Sequence, residues 1–307
     1  MVKIDTGELI KRIIDNVKEK IHSDKYKSIP DPHLVIIQVG DNVNAYDKKK
    51  VCEYAGIKCS IYEYKEDITT EKLKDIISKL SLNPTITAIS IQLPLPEHID
   101  ERALIDEIDP NKDVDGVTCV QAGLLQLGIE DNHRLEPCIP KAIVRLLEDI
   151  TTLEGKNITI IGKKIGKPLI QLLQEKNANV TLCHSRTNID DIERNTEKSN
   201  IIILASNKAK YFGARYFFRR FFYDPSEKII IDVGFNIDEN GKLYGDLNTE
   251  EINDIINNSN TFHYTEVGEI NNLSNILLLE NISIAYEAQF DNIWKYHQMK
   301  KMEKEDV

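Results

Sequence analysis

The sequence predicts an α/β protein of two domains, each built on a parallel sheet covered by helices. Three observations carry this. Apolar runs and helical patterns alternate strand–helix–strand–helix–strand from HLVIIQVG to ITAISIQLPLP. The same alternation restarts near residue 157, at NITIIG. The strands are near-continuous apolar runs, as parallel strands buried on both faces require, and 307 residues suffice for two ordinary domains.

The elements follow in order. Residues 7–22 repeat Leu9, Ile10, Ile13, Ile14, Val17 and Ile21 at helical spacing. HLVIIQVG reads as a buried strand ending at Gly40, with a helix around 48–54 and then the strand CSIYEYK. TTEKLKDIISKLSLN is a helix, and ITAISIQLPLP a strand stopped by its prolines. IPKAIVRLLEDITTLEGK is a linking helix. The second unit runs NITIIG, the helix KPLIQLLQEKN, then the strands NVTLCHS, NIIILAS and KIIIDVGF, the order expected of a dinucleotide-type sheet. Residues 276–307 form one long helical pattern with a charged end. The expected domains are 1–147 together with 276–307, and 148–275. KAKYFGARYFFRRFFYDPSEK, aromatic and basic, reads as a helix packed on the sheet with its arginines outward, and 211–223 is where an unusual contact is expected.

Composition excludes several classes. A net charge of -11 argues against a general nucleic-acid or anionic-membrane binder, because phosphate contacts need clustered cations. The start MVKIDTGELIKRII has charges spaced through it and is not expected to be a signal peptide. No apolar run approaches a membrane span. The five cysteines are scattered without a CxxC pair, which points to reduced thiols in the cytoplasm and gives no support to a zinc site.

Two stretches carry chemistry. Gln92 ends a strand before two prolines, at the carboxyl edge where open α/β sheets place ligands. About twenty residues on, Asp113 and Asp115 alternate across Val114 in KDVDG, and in an extended segment both carboxylates would face one side. The second stretch is NITIIGKKIGKPLIQLL. Gly162 and Gly166 bracket a short loop, Gly166 opens a helix, and Pro168 suits its first turn. Backbone N–H groups, the helix dipole and Lys163 can meet a phosphate there.

QLPLP, KDVDG, EPCIPKAI and IIIDVGFN…GKLYGD, in this order and at these separations, resemble the methylenetetrahydrofolate dehydrogenase/cyclohydrolase family. The resemblance runs from KIDTGELI to LLLENI. It implies an N-terminal folate-binding catalytic domain, a C-terminal Rossmann-like domain for NAD(P), and a long C-terminal helix packing back on the first. It implies a bifunctional enzyme that oxidises methylenetetrahydrofolate and hydrolyses methenyltetrahydrofolate, and a homodimer. The family's glutamine and second aspartate fall on Gln92 and Asp115, the carboxylate accepting from the pterin's donors.

The family's catalytic lysine has two registers in NAYDKKKVCEYAG. Anchoring on Cys52, Glu53 and Gly56 selects Lys48 and puts Asn44 at the family's tyrosine position. Keeping the tyrosine–lysine spacing selects Tyr46 and Lys50. The packing end of the helix favours Lys48, with Gln92 holding it by a hydrogen bond and Tyr46 near the ligand. On the cofactor side Gly162, Lys163 and Gly166 remain of a glycine loop that is two residues shorter and lacks its serine. An NAD site would carry an acidic residue after the next strand; here Ser185 and Arg186 suit the 2′-phosphate of NADP. The family's proline- and glycine-rich late loop is replaced by TEVGEINNLS, whose Glu266 and Glu269 are expected near the cofactor. Two alternatives stay open: a cyclohydrolase with weak or lost dehydrogenase activity, and a non-catalytic folate-binding or partner subunit.

Overall fold

A computed structural model describes residues 2–27, 29–40, 44–129, 132–213, 216, 228–252 and 262–305. In chain order its main elements are β1 (Val2–Lys3), α1 (Gly7–Ile21), β2 (His33–Val39), α2 (Asn44–Tyr54), β3 (Lys58–Tyr64), α3 (Thr70–Leu82), β4 (Ala88–Ile91), α4 (Glu101–Ile105), α5 (Cys119–Gln126) and α6 (Cys138–Ile150). There follow β5 (Asn157–Ile161), α7 (Lys163–Glu175), β6 (Asn179–Cys183), α8 (Ile189–Lys198), β7 (Ile201–Leu204), β8 (Lys228–Asp232), β9 (Asn236–Ile237), β10 (Leu243–Tyr244), β11 (Phe262–Tyr264) and α9 (Glu269–Glu305). The chain divides into two compact units, Lys11–Cys138 with Asn275–Val307, and Met1–Ile10 with Ile139–Ser274.

The first of these units holds a parallel sheet of order β3-β2-β4. Its middle strand is buried at every residue, which explains why HLVIIQV shows no alternation. One face, with Val35, Ile37, Ile89 and Ile91, packs on Leu73 and Ile77 of α3. Thr69 caps α3, its hydroxyl accepting from the Lys72 N–H. The other face carries Ile36 and, paired with it in register, Ser90. Gln92 lies two residues beyond Ser90, so it points to this same face. The C-terminal helix belongs to this unit from Asn275 onward. Asn281 Nδ2 donates to the carbonyls of Val114 and Glu136, both at 2.8 Å, and Tyr286 packs on Tyr26 with ring centroids 5.1 Å apart.

The second unit holds six parallel strands in the order β1-β11-β8-β7-β5-β6. From β5 the chain moves outward to β6, whereas from β7 it moves the other way to β8. The point where β5 and β7 lie side by side is therefore the topological switch, where such sheets open a crevice at their carboxyl ends.

Three differences from the sequence reading have physical reasons. The first ten residues fall in the second unit, because Val2 and Lys3 pair with His263 and Tyr264 at the sheet's edge. TEVGEINNLS is not an extended loop: α9 begins at Glu269, seven residues before the expected start at 276. The expected contact segment 211–223 lies largely outside the described residues. Of its described residues, Tyr211, Phe212 and Gly213 are not helical and Tyr216 lies in a 3-10 turn; the buried Phe212 bridges to Leu247.

Candidate functional sites

α2 lies over the face of the three-stranded sheet that carries Ser90. Lys48 Nζ donates to Ser90 Oγ at 3.2 Å, and the same hydroxyl donates to Asp115 Oδ2 at 2.7 Å. Lys48 Nζ lies 3.7 Å from Asp115 Oδ1, with side-chain exposures of 16% and 26%. A cation and an anion are thus held by one buried hydroxyl. Asp115 keeps further acceptor capacity, since each carboxylate oxygen offers about two lone-pair sites. Lys50 stands elsewhere, 77% exposed and 3.3 Å from Asp47. Tyr46 is likewise apart: its hydroxyl donates to Glu63 Oε1 at 2.5 Å.

Gln92 is buried at the strand end, but it does not hold the lysine as expected. Its amide nitrogen donates to the Leu93 carbonyl at 3.1 Å, and its Oε1 has no hydrogen-bond partner among the described residues. Ser90 makes the contact to Lys48 instead. Ser90 escaped the sequence reading, although its place two residues before Gln92 put it on the same face.

Asp113 and Asp115 do not face one side. The segment turns rather than extends, and the buried Asp113 Oδ2 accepts the N–H groups of Val117 at 2.8 Å and Thr118 at 2.6 Å. Burial pushes the Asp113 carboxyl up from its ordinary value, against the pull of the Thr118 and Val117 hydrogen bonds. Asp113 holds the turn that presents Asp115.

In the other unit, a cavity of about 620 Å³ opens at the switch between β5 and β7. Gly162, Lys163, Ser185 and Arg186 line it, as do Lys164, Lys167 and Lys208. The shortened loop does not fill it. The turn has shrunk to Gly162 alone, which ends β5 and caps α7 at φ +144°. A side chain there would strike the Ala205 carbonyl oxygen at the end of the neighbouring strand.

Gly166 does not border the cavity. It sits inside α7, where a Cβ would lie 2.6 Å from Leu182 Cδ1, so its role is close packing of helix on strand. Pro168 is also inside α7 rather than in its first turn. Glu266 and Glu269 are engaged by the N-terminal segment: Glu266 pairs with Lys3 at 2.6 Å and Glu269 accepts the Thr6 hydroxyl at 2.5 Å.

The cavity's chemistry suits a polyanion. Among the described residues its lining contains four lysines, an arginine and His184, and no aspartate or glutamate. No carboxylate of the described lining waits for a ribose 2′-hydroxyl, and its volume is that of ordinary ligand sites.

The fold and the two sites define a two-domain α/β protein with a lysine–carboxylate centre on one sheet and a dinucleotide-type crevice on the other. Residues 4–115 match the family profile described as tetrahydrofolate dehydrogenase/cyclohydrolase, catalytic domain, and residues 137–290 match its NAD(P)-binding domain. The bifunctional protein FolD of Brevibacillus brevis is 37% identical over 265 residues, covering 84% of this chain and 88% of the relative. That of Streptococcus pneumoniae is 38% identical over 256 residues, covering 81% and 86%. The crystal structure of the bifunctional FolD dehydrogenase/cyclohydrolase from Campylobacter jejuni superposes with a TM-score of 0.82 at 31% identity, covering 94% of this chain and 99% of that one. The chain belongs to the tetrahydrofolate dehydrogenase/cyclohydrolase family and carries both of its domains. Among the described residues no helix is long and apolar enough to cross a membrane.

Proposed function

We propose that this chain is a bifunctional enzyme of folate one-carbon metabolism, oxidising methylenetetrahydrofolate with NADP and hydrolysing the resulting methenyl form to formyltetrahydrofolate. One observation carries the reading: Lys48, Ser90 and Asp115 form a connected, half-buried centre beside the strand end at Gln92. Asp115 accepts hydrogen bonds from the pterin's amino edge. Lys48 Nζ, once deprotonated, takes the proton of the water that adds to the methenyl carbon. Ser90 fixes that nitrogen and passes the pull of Asp115 to it. Gln92 Oε1 offers an acceptor to the folate or to the lysine as the site fills.

NADP supplies the hydride acceptor, and Lys163, Lys164, Lys167, Ser185 and Arg186 would hold its phosphates. Support comes from the cationic lining of the crevice. A second reading, a cyclohydrolase with weak dehydrogenase activity, is favoured by the reduction of the phosphate turn to Gly162.

The protein is proposed to act in the cytoplasm, consistent with five scattered cysteines that form no CxxC pair, and as a homodimer. A monomer by light scattering would remove the last point. The functional test is spectrophotometric, following NADPH formation beside the decay of methenyltetrahydrofolate absorbance. Lys48→Ala should suppress hydrolysis at least about a hundredfold, as loss of a general base does, while Lys50→Ala stays near wild type. If the two variants exchange behaviour, Tyr46 and Lys50 are the working pair.

A further inference from the structure

The residues of the motif IIIDVGFN…GKLYGD are not among the described lining of the crevice, yet its two aspartates are among the buried polar residues. Asp232 ends β8. Its Oδ1 accepts the N–H groups of Gly234 at 2.9 Å and Asp246 at 3.0 Å, and its Oδ2 that of Leu247 at 3.0 Å. Asp246 in turn receives five donors. Oδ2 accepts the Ser206 N–H at 2.5 Å, the Ser206 hydroxyl at 2.8 Å and the Asn207 N–H at 3.2 Å. Oδ1 accepts the Lys208 N–H at 3.0 Å and Asn236 Nδ2 at 3.2 Å.

The motif's glycines belong to the same device. A Cβ on Gly234 would strike Asp246 Oδ1, and one on Gly245 would strike Asp232 Oδ2, so each carboxylate occupies the space a side chain would need. The backbone continues the tie. Lys210 N donates to the Gly245 carbonyl and Phe212 N to the Asp246 carbonyl, both at 2.9 Å. The segment held in this way supplies Ser206, Asn207, Lys208, Tyr211 and Phe212 to the crevice wall.

We infer that Asp246 is a positioning residue for the dinucleotide, holding the 206–212 segment in the shape that walls the crevice after β7. The inference rests on the reading that the crevice takes NADP. It also assigns the segment's polarity. The N–H groups of residues 206–208 are spent on Asp246, so they do not cradle a phosphate, and contact on that wall passes to side chains.

The test is Asp246→Asn in the full chain. The amide keeps the volume but turns an NH2 toward donors. Amide hydrogen exchange should accelerate at residues 206, 207, 208, 210 and 212. The affinity for NADP, by calorimetry and as KM, should weaken about tenfold if the wall is properly formed about a tenth of the time. At saturating NADP the dehydrogenase kcat should stay within about twofold, since apparent affinity alone carries the lost population. Methenyl hydrolysis should not change. Ser206→Ala, which removes one hydrogen bond and no buried charge, should show the same pattern more weakly and serves if the first variant does not fold. Faster exchange with unaltered NADP affinity would make Asp246 merely structural and overturn the inference, as would unaltered exchange. Absence of NADP binding by the wild type would overturn the functional reading and this inference together, and is seen in the control.

Discussion

Asp115→Asn tests the centre at its anion. In the wild type Asp115 takes the Ser90 hydroxyl at 2.7 Å and stands 3.7 Å from Lys48 Nζ. At an effective dielectric of about 20, a pair at that separation attracts by roughly 4 kcal/mol before desolvation is counted. Much of this is offset in the free protein, because removing the charge also removes the cost of having partly buried it. Global stability should therefore change by only about 1 kcal/mol. Folate binding has no such offset. The asparagine can still accept from Ser90 through Oδ1, but its NH2 then faces Lys48 and the pterin's donors. Loss of a charge-assisted acceptor should weaken folate binding by about 1.5–3 kcal/mol, or roughly ten- to 150-fold in Kd. Titration calorimetry with tetrahydrofolate reads the affinity, and urea unfolding reads the stability. An unchanged folate Kd would refute the placement of Asp115 against the pterin, and a stability loss matching the affinity loss would mean that the residue is structural.

Two further outcomes follow from single contacts. Gly162→Ala should cost about 2–4 kcal/mol in urea unfolding, because it combines a backbone at φ +144° with a side chain directed at the Ala205 carbonyl; wild-type stability would mean that the two strand ends part freely. Glu287 has its carboxyl raised by burial but lowered more by hydrogen bonds from Lys20 and Lys25, to about 2 from an ordinary 4.5. A depressed carboxyl contributes stability above its unfolded pKa and loses it as pH falls through its folded one. Glu287→Gln should therefore lower stability by about 1–2 kcal/mol at pH 7 after solvent screening, with the difference shrinking between about pH 4.5 and 2; a deficit that persists at pH 2 would contradict the ion-pair origin.

Much of the architecture was legible because parallel strands announce themselves as uninterrupted apolar runs. β2, β4, β5, β7 and β8 all lie where such runs predicted them. The choice of Lys48 over Lys50 was legible from the register of Cys52 and Gly56, but its approach to within 3.7 Å of Asp115 was not. What stayed hidden depends on contacts between distant segments. Nothing local marks Val2 and Lys3 as a strand; their partners are more than 250 residues away. Asp113 and Asp115 look equivalent until the turn directs one inward to backbone N–H groups and the other outward to Ser90. Gly166 resembles a phosphate-loop glycine because the same residue type serves both close ligand approach and close packing, and only the position of Leu182 tells them apart.

The phosphate turn shows how local erosion can be balanced. A longer glycine loop binds phosphate with many backbone donors wrapped around it. Here Gly162 passes straight into α7, and Gly166 N–H is already bonded to the Gly162 carbonyl. The N–H groups ahead of it in α7 have no intrahelical acceptor and remain directed out of the helix's first turn. Lys163, Lys164 and Lys167 surround that end, and Arg186 and Lys208 also border the crevice. The site thus replaces a fitted backbone cradle with a helix terminus and mobile charge. Such a site still attracts a dinucleotide phosphate, but its attraction is screened by salt and its selectivity comes from shape. Shape at this crevice depends on the 206–212 wall, which is the part that Asp246 fastens. On the inference drawn for Asp246, the motif that holds this wall carries the discrimination that the turn no longer supplies.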